Sequence, residues 1–411
     1  MKEEYRSKVE YFFSRALLVC FLLVCVIVWI KIFAVGEKRA AFDLEARNAE
    51  RFPELTATSF LSGDFQKKLD LAISDNMPGC GRIRQQILNT QNSIFSQLSW
   101  IAINPNSGYR LIAKGYYTYD GYDYLVRPVS DDSIMNFTTS ETEQAKQYRA
   151  IAEKSSKFYN SLPIKNKYLY IINTDREINF DNPKLVLGKK ISQYFPEWKY
   201  DELEIDDFST FRKYYYKNDH HWNYRGQYQG YKDIIRMMLG EDERLLEPLE
   251  EVTFKYRIYG SKNRLGNYNG FSEHFTAYNF DRGEYDTYIN GALGKYDAWD
   301  DYFNDKQVRE GKGRIQYADF YGKDYAVVEF DFHQPQKENL LIMGFSDTNS
   351  INSLIASHFN KTWDVDPRHC SLAEFKKIIR ENNIQNVLLL PYGSGFLIHN
   401  GLLMENQSDA V

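Results

Sequence analysis

Cysteine is scarce, with four in 411 residues. Cys20 and Cys25 fall inside an apolar run, which leaves Cys80 and Cys370. None has metal-ligand spacing, so a cysteine zinc centre is not indicated. A single Cys80–Cys370 bridge stays open in an oxidising compartment. Positive charge is also short: 51 Lys and Arg against 56 Asp and Glu give a formal charge of -5 and a pI near 5.9. With no basic stripe, that balance argues against a nucleic-acid binder. Internal repeats, low-complexity tracts and a second long apolar run are missing too.

One long apolar run is present. Ala16 to Ile30 carries no charge, Tyr11, Phe12, Phe13 and Phe33 extend it, and Arg15 and Lys31 can snorkel at its ends. With its flanks it reaches roughly 20 residues, enough for one membrane span. A cleaved signal peptide would have a shorter apolar region and a small-residue site after it, and Ala34-Val35-Gly36 matches only in part. The expectation is an uncleaved anchor over residues 12–34, after a tail at 1–11. A stem follows at 35–55, one large domain at 56–402, and a polar tail at 403–411.

Within that domain, residues 56–104 read as mostly helical and 105–135 as β-rich. The capping signal Ser140-Glu141-Thr142-Glu143 opens a helix at about 141–161. Tyr168 to Ile172 reads as a buried strand. Tyr224, Tyr228, Tyr231, Ile235 and Met238 recur at helical spacing up to Gly240. Residues 253–330 lack helical periodicity and read as a β- and loop-rich insertion or lid. Tyr268, Tyr278, Tyr285 and Trp299 are its stacking candidates, although core packing is the commoner fate of such aromatics. The C-terminal part alternates strand (Leu340 to Met343), helix (Asn349 to Phe359), strand from Trp363, helix from Ser371 and strand (Val387 to Leu390). That βαβαβ pattern implies a parallel sheet with helices on its faces.

The chemistry concentrates in two places. Asp219 and His221, in Asp219-His220-His221-Trp222, are two apart and would share a face of an extended segment. Ser346 follows the strand at 340–343 and precedes a helix, where ligands meet the carboxyl ends of parallel strands. Serine is a weak nucleophile unless a base activates it. His221 is the candidate base, with Asp219 fixing its tautomer. Backbone N–H groups at such a turn can serve an oxyanion, each worth about 3–4 kcal/mol at the transition state. Asn349 is a candidate side-chain donor there. Arg368, His369 and Tyr392, past the next strand ends, are candidate substrate contacts. Their bland readings are a helix cap for Asn349 and turns for the others. His220 beside His221 raises a metal site, but the other histidines lack ligand spacing, so neither a metal nor another cofactor is expected.

The Asp-His-His-Trp segment with its adjoining helix resembles the DHHW-motif proteins of bacteria. These are similar to the alginate O-acetyltransferase-like branch of the SGNH hydrolase superfamily. Gly344-Phe345-Ser346-Asp347-Thr348-Asn349-Ser350 resembles that branch's nucleophile turn. Asp366-Pro367-Arg368-His369 and Leu389-Leu390-Pro391-Tyr392-Gly393 resemble its next strand ends, and residues 60–79 also look like it. Phe345 departs from the pattern, since the family often has aspartate there. The resemblance implies an SGNH-like three-layer α/β/α fold with a central parallel sheet, the Asp-x-His preceding the serine in permuted order. It implies catalytic Ser346, His221 and Asp219 in an extracytoplasmic domain on a single-pass anchor. The partners implied are a cell-surface or exported polysaccharide and a membrane-bound O-acyltransferase as acyl donor. A carbohydrate esterase using the same triad, and a non-catalytic glycan-binding or assembly protein on a degenerate fold, remain open.

Overall fold

The computed structural model describes residues 15–23, 26, 41–42, 47–48, 52–76, 86–87, 90, 94, 109–113, 116–119, 122–124, 143–174, 187–205, 208–217, 219–261 and 273–404. The chain divides into two compact units: residues 1–101 with 264–268, and residues 102–263 with 269–411. In the first, Ala57–Leu61 is a short helix capped by Thr56, whose hydroxyl accepts from Ser59 N–H. A turn at Ser62-Gly63 then leads into the helix Asp64–Asn76. Among the described residues no helix is long and apolar enough to cross a membrane. Residues 15–23 are helical, and most of the expected span lies outside the described residues, as does Cys80. Cys370 is a buried free thiol.

The second unit holds two small sheets and one large one. Tyr109–Ala113, Tyr116–Tyr119 and Tyr122–Tyr124 form an antiparallel meander, in the stretch read as β-rich. The main succession is α1 (Glu143–Asn160), β1 (Asn166–Ile171), β2 (Lys199–Glu202), α2 (Tyr224–Leu239), β3 (Glu250–Ile258), β4 (His274–Asn279), β5 (Asp286–Ile289) and β6 (Ala292–Leu293). It continues with α3 (Tyr317–Tyr321), β7 (Val327–Asp331), β8 (Leu340–Gly344), α4 (Asn352–Ala356), β9 (Lys361–Val365), α5 (Leu372–Glu381) and β10 (Asn386–Leu390). The eight-stranded sheet runs β6-β5-β7-β9-β8-β10-β1-β2. Its five strands β9-β8-β10-β1-β2 are parallel. β7, β5 and β6 extend it antiparallel.

β8 is buried along its whole length. Leu340 and Ile342 pack with Leu354 and Ile355 of α4 and with Ile234 and Ile235 of α2. Leu341 and Met343 pack with Phe375 and Ile378 of α5 and with Ala152 and Tyr159 of α1. The period-two split places helices on both faces, as a fully buried parallel strand requires. From β8 the chain steps through α4 to β9, then returns through α5 past β8 to β10. The direction of strand order therefore reverses at β8, and the crevice at its carboxyl end is the switch point of the sheet.

Three details differ from expectation. The helix after β8 is broken into a 3-10 turn at Thr348–Ser350 and the short α4, with a kink at Ile351 (φ -130°, ψ -5°). Asn and Ser side chains bond locally and compete with the helix: Asn352 Oδ1 accepts from Ser353 N–H at 2.7 Å, and Asn352 Nδ2 donates to Asp364 at 2.9 Å. The 253–330 region is stitched into the main sheet, because β5, β6 and β7 are strands of it. The β5–β6 hairpin turns on Asn290-Gly291, both at positive φ (50° and 83°), as a two-residue hairpin demands. Trp299 is buried among Phe280, Phe303 and Phe320 and serves the core. Tyr285 stacks on Phe332 and Tyr278 packs edge-on to Tyr224, while Tyr268 lies outside the described residues. The core also runs past residue 402, since Leu403 and Met404 are buried in it.

Candidate active site

The Asp219–Trp222 segment is not an extended strand but a pair of bends. Asn223 and Trp222, at its C-terminal end, give it that shape. Asn223 caps α2, its Oδ1 accepting from the N–H groups of Arg225 (2.9 Å) and Gly226 (3.3 Å). Its Nδ2 donates back to the carbonyls of Lys213 and Tyr215. Trp222 is fully buried, and its Nε1 donates to Asp347 O and Ser350 Oγ, both at 3.1 Å. That indole ties the histidine-bearing bend to the serine-bearing turn. Its room is made by Gly230, in the second turn of α2: a Cβ there would meet Trp222 ring carbons at 2.5 and 2.8 Å.

Asp219 and His221 meet through a side-chain turn rather than a shared strand face. Asp219 Oδ1 accepts from His221 N–H at 3.0 Å and pairs with His221 Nδ1 at 2.5 Å. Its Oδ2 accepts from Ser261 N–H at 2.6 Å. On the far side of the ring, His221 Nε2 lies 2.9 Å from Ser346 Oγ. A carboxylate only accepts, so Nδ1 carries a proton and neutral His221 offers Nε2 as the acceptor for the serine hydroxyl. Ser346 is partly exposed, while Asp219 and His221 are buried.

Burial opposes charge on Asp219, yet His221 beside it, with help from His220, holds its carboxyl well below the usual range. Burial likewise opposes charge on His221, and the Asp219 carboxylate outweighs it, aided by Asp347 and Asp324, so the imidazole pKa is raised. The pair is an ionised acid behind a base that is easily protonated.

The turn carrying Ser346 depends on Gly344, where a Cβ would meet Thr348 Cγ2 at 2.1 Å and Leu390 O at 3.0 Å. Thr348 N–H and Asn349 N–H then close onto Phe345 O and Ser346 O. Phe345 is buried beneath the turn, its ring 5.2 Å from the Arg368 guanidinium, 4.7 Å from the His399 ring and 5.6 Å from the Tyr392 ring. Arg368 also binds Asp366 through Nε and Nη2 and Asp324 through Nη2 (2.8 Å). The Asn349 amide donates to Asp324 (3.1 Å) and Gly322 O (3.4 Å). Asp364 accepts from Thr348 and Asn352 under the same turn, and burial pushes its carboxyl up to about 7. The structure thus joins Ser346, His221 and Asp219 directly. It gathers Asn349, Arg368 and Tyr392 around the base of the turn.

Two participants, Ser261 and Tyr317, are not apparent in the sequence, and for a third, Trp222, the motif shows the residue but not its role. Ser261 supports Asp219, and its Oγ lies 2.6 Å from His220 Nδ1. The Tyr317 ring stacks on His221, with centroids 3.7 Å apart and planes at 4°. Trp222 bridges the two loops. Gly226 and Gly230, at i and i+4 of one helix, are a visible sign of close approach. Nothing local marks Ser261 or Tyr317. Among the described residues, the one His/Asp group with donor atoms close enough to hold a cation is Asp219-His220-His221, within 4.8 Å. A cation there would have to displace the hydrogen bonds that join the triad.

No protein-family model and no curated protein sequence matches the chain. Solved structures similar to it include PatB1 of Bacillus cereus, at 18% identity and a TM-score of 0.49 over 69% of this chain and 96% of that one. They include a DHHW family protein from Eubacterium siraeum, at 16% identity and a TM-score of 0.46 over 73% and 97%. The O-acetyltransferase domain of Pseudomonas putida AlgJ is similar at 8% identity and a TM-score of 0.33 over 68% and 90%.

Proposed function

We propose that this chain is an SGNH-like O-acyltransferase working through an acyl-serine, and that it acetylates an extracytoplasmic polysaccharide from a single-pass membrane anchor. The continuous contact from Asp219 through His221 to Ser346, at 2.5 and 2.9 Å, supports this most. In the first half-reaction Ser346 Oγ attacks the acyl carbon as its proton passes to His221 Nε2. The departing group of the donor then takes that proton. In the second, an acceptor hydroxyl gives its proton to His221 and attacks the acyl carbon, and Ser346 Oγ leaves and is reprotonated. Asp219 holds Nδ1–H throughout and stabilises the charged ring in both halves.

The position of Ser346 at the switch point of the sheet fits a reacting centre. Phe345 sits where the family often has aspartate, but its ring is braced by Arg368, so the turn keeps a partner on that side. The donor in this reading is a membrane-bound O-acyltransferase, and the resemblance in the Asp-His-His-Trp and Gly-Phe-Ser segments suggests the glycan class. The test incubates the full chain with an activated acetyl ester, with and without exported polysaccharide. Intact-protein mass spectrometry follows the acyl-serine, and acetyl on the glycan is measured beside Ser346→Ala and His221→Ala. Acetyl on the glycan, absent in both variants, is the expected result. Acetate alone would make the protein an esterase with the same triad. A wild type that never acylates would overturn the reading.

A further inference from the structure

Two hydrogen bonds hold the His221 ring, one at each nitrogen. Two points fix a line, and the ring can still rock about it. The Tyr317 ring supplies the missing contact, lying parallel to the imidazole at 3.7 Å. Tyr317 is itself firmly placed. It is buried, it is the first residue of α3, and it packs against Tyr321 at 4.7 Å. Gln316, the cap of that helix, is paired with Asp319 through Gln316 N–H at 2.8 Å.

We infer that Tyr317 is a positioning residue for the base: its ring face holds the His221 imidazole in the plane that joins Asp219 to Ser346. This rests on the acyl-transfer reading for its catalytic consequence, but not for its geometry. The face of an aromatic ring is electron-rich, so the same stack favours the charged imidazolium formed when Ser346 gives up its proton. Burial of the phenol keeps its own hydroxyl protonated, so the ring stays neutral. The other groups acting on His221 are Asp219, Asp347, Asp324 and the His220 ring at 3.8 Å. None of these stacks flat on it: the His220 plane is tilted by 37°. The device comes from the 253–330 region. So does Ser261, whose N–H holds the outer oxygen of Asp219. That region is therefore the mount of the acid–base pair.

The test compares full-length wild type with Tyr317→Phe and Tyr317→Leu by two readouts. The first needs no catalysis. Proton NMR follows the far-downfield His221 Nδ1–H resonance, assigned by its loss in His221→Gln, and its exchange with water. The second is kcat and KM for acetyl-ester cleavage across pH. Tyr317→Phe should keep both the resonance and the rate. Tyr317→Leu should speed exchange and lower kcat by about 10- to 100-fold, as small misplacements do, with KM unchanged. Its acidic limb should move to lower pH, because the imidazolium has lost the ring face. A Leu variant with wild-type exchange and kcat would overturn the proposal, as would a Phe variant as impaired as Leu. If the Leu chain fails to fold, pentafluorophenylalanine at position 317 keeps the ring shape and reverses the charge of its face. Exchange of the His221 Nδ1–H should then stay slow, because the ring shape is kept, while the acidic limb moves to lower pH; fast exchange with the ring shape intact rejects the proposal. An inert wild type whose resonance still depends on the ring would reject acyl transfer and leave the positioning role standing.

Discussion

The two halves of the site are built in opposite ways. Ser346 stands on a regular device: a buried parallel strand, a glycine, a tight turn and a helix, all within about one βα unit. His221 stands on a bend with no repeating backbone hydrogen bonds, shaped by its neighbours Trp222 and Asn223 and held from farther along the chain by Ser261 and Tyr317. The nucleophile is placed by local geometry and the base by long-range packing. Damage to the site should therefore travel further on the base side.

The largest expected effects remove the chemistry itself and should be equal across the divide. Ser346→Ala and His221→Ala should each lower kcat by about 10³-fold or more, and the double variant should be no worse than either. Steady-state kinetics on purified chains checks this, and additive losses would mean that the two residues do not act together.

Next comes the scaffold of the base. Gly230→Ala drives a methyl into the Trp222 ring and should destabilise the fold by about 1–3 kcal/mol, the usual range for overpacking. Denaturant unfolding measures it. Covalent labelling of Ser346 by a fluorophosphonate should slow at the same time, because Trp222 joins the two loops. Trp222→Phe is gentler: it keeps most of the apolar contact and deletes the donor to Asp347 O and Ser350 Oγ. About 1 kcal/mol is expected, again with slower labelling. Ser371→Ala removes a cap remote from the site, whose hydroxyl accepts from Glu374 N–H. It should also destabilise by about 1 kcal/mol but leave labelling untouched. Equal labelling in the last two would mean that the Trp222 bridge does not position the site.

The smallest effect is in pH. His221 must be neutral to accept a proton, and its pKa is raised above the ordinary 6.5. The acidic limb of labelling should therefore have its midpoint above that value and fall as pH drops through it. In Asp219→Asn the carboxylate is gone while burial remains, so the limb should move to lower pH. The stability linkage has opposite signs for the two partners. The contribution from His221 is present below 6.5 and lost as pH rises through its raised value. That from Asp219 is present above the usual carboxylate range and lost as pH falls through its depressed value.

The same contrast explains how much of the molecule is legible in its sequence. The βαβαβ run, the Gly344–Ser346 turn and the helix ending at Gly240 are legible because each is specified within a short window. The pairing of Asp219 with His221 is legible, but its cause is not: a side-chain turn stands where the spacing predicts a strand face. Ser261 and Tyr317 are invisible, since no local pattern marks a residue whose partner is far away in the chain. The break in the helix after β8 escapes the sequence because Thr348 and Asn352 bond to Asp364 across the turn, a contact no window contains.

The strand order also sets a timetable. Of the large sheet β1 and β2 are made first, yet the neighbour of β1 on its inner side is β10, the last of its described strands to leave the ribosome. Until then the buried half of β1, Tyr168 to Ile171, waits without the strand that will cover its inner side, and the base is made long before the strand that carries its nucleophile. The active centre is thus among the last features of the molecule to exist. A chain released between residues 347 and 385 would carry every residue of the triad and lack the strand that joins β8 to β1, so such a premature product is a misfolding hazard rather than an uncontrolled enzyme.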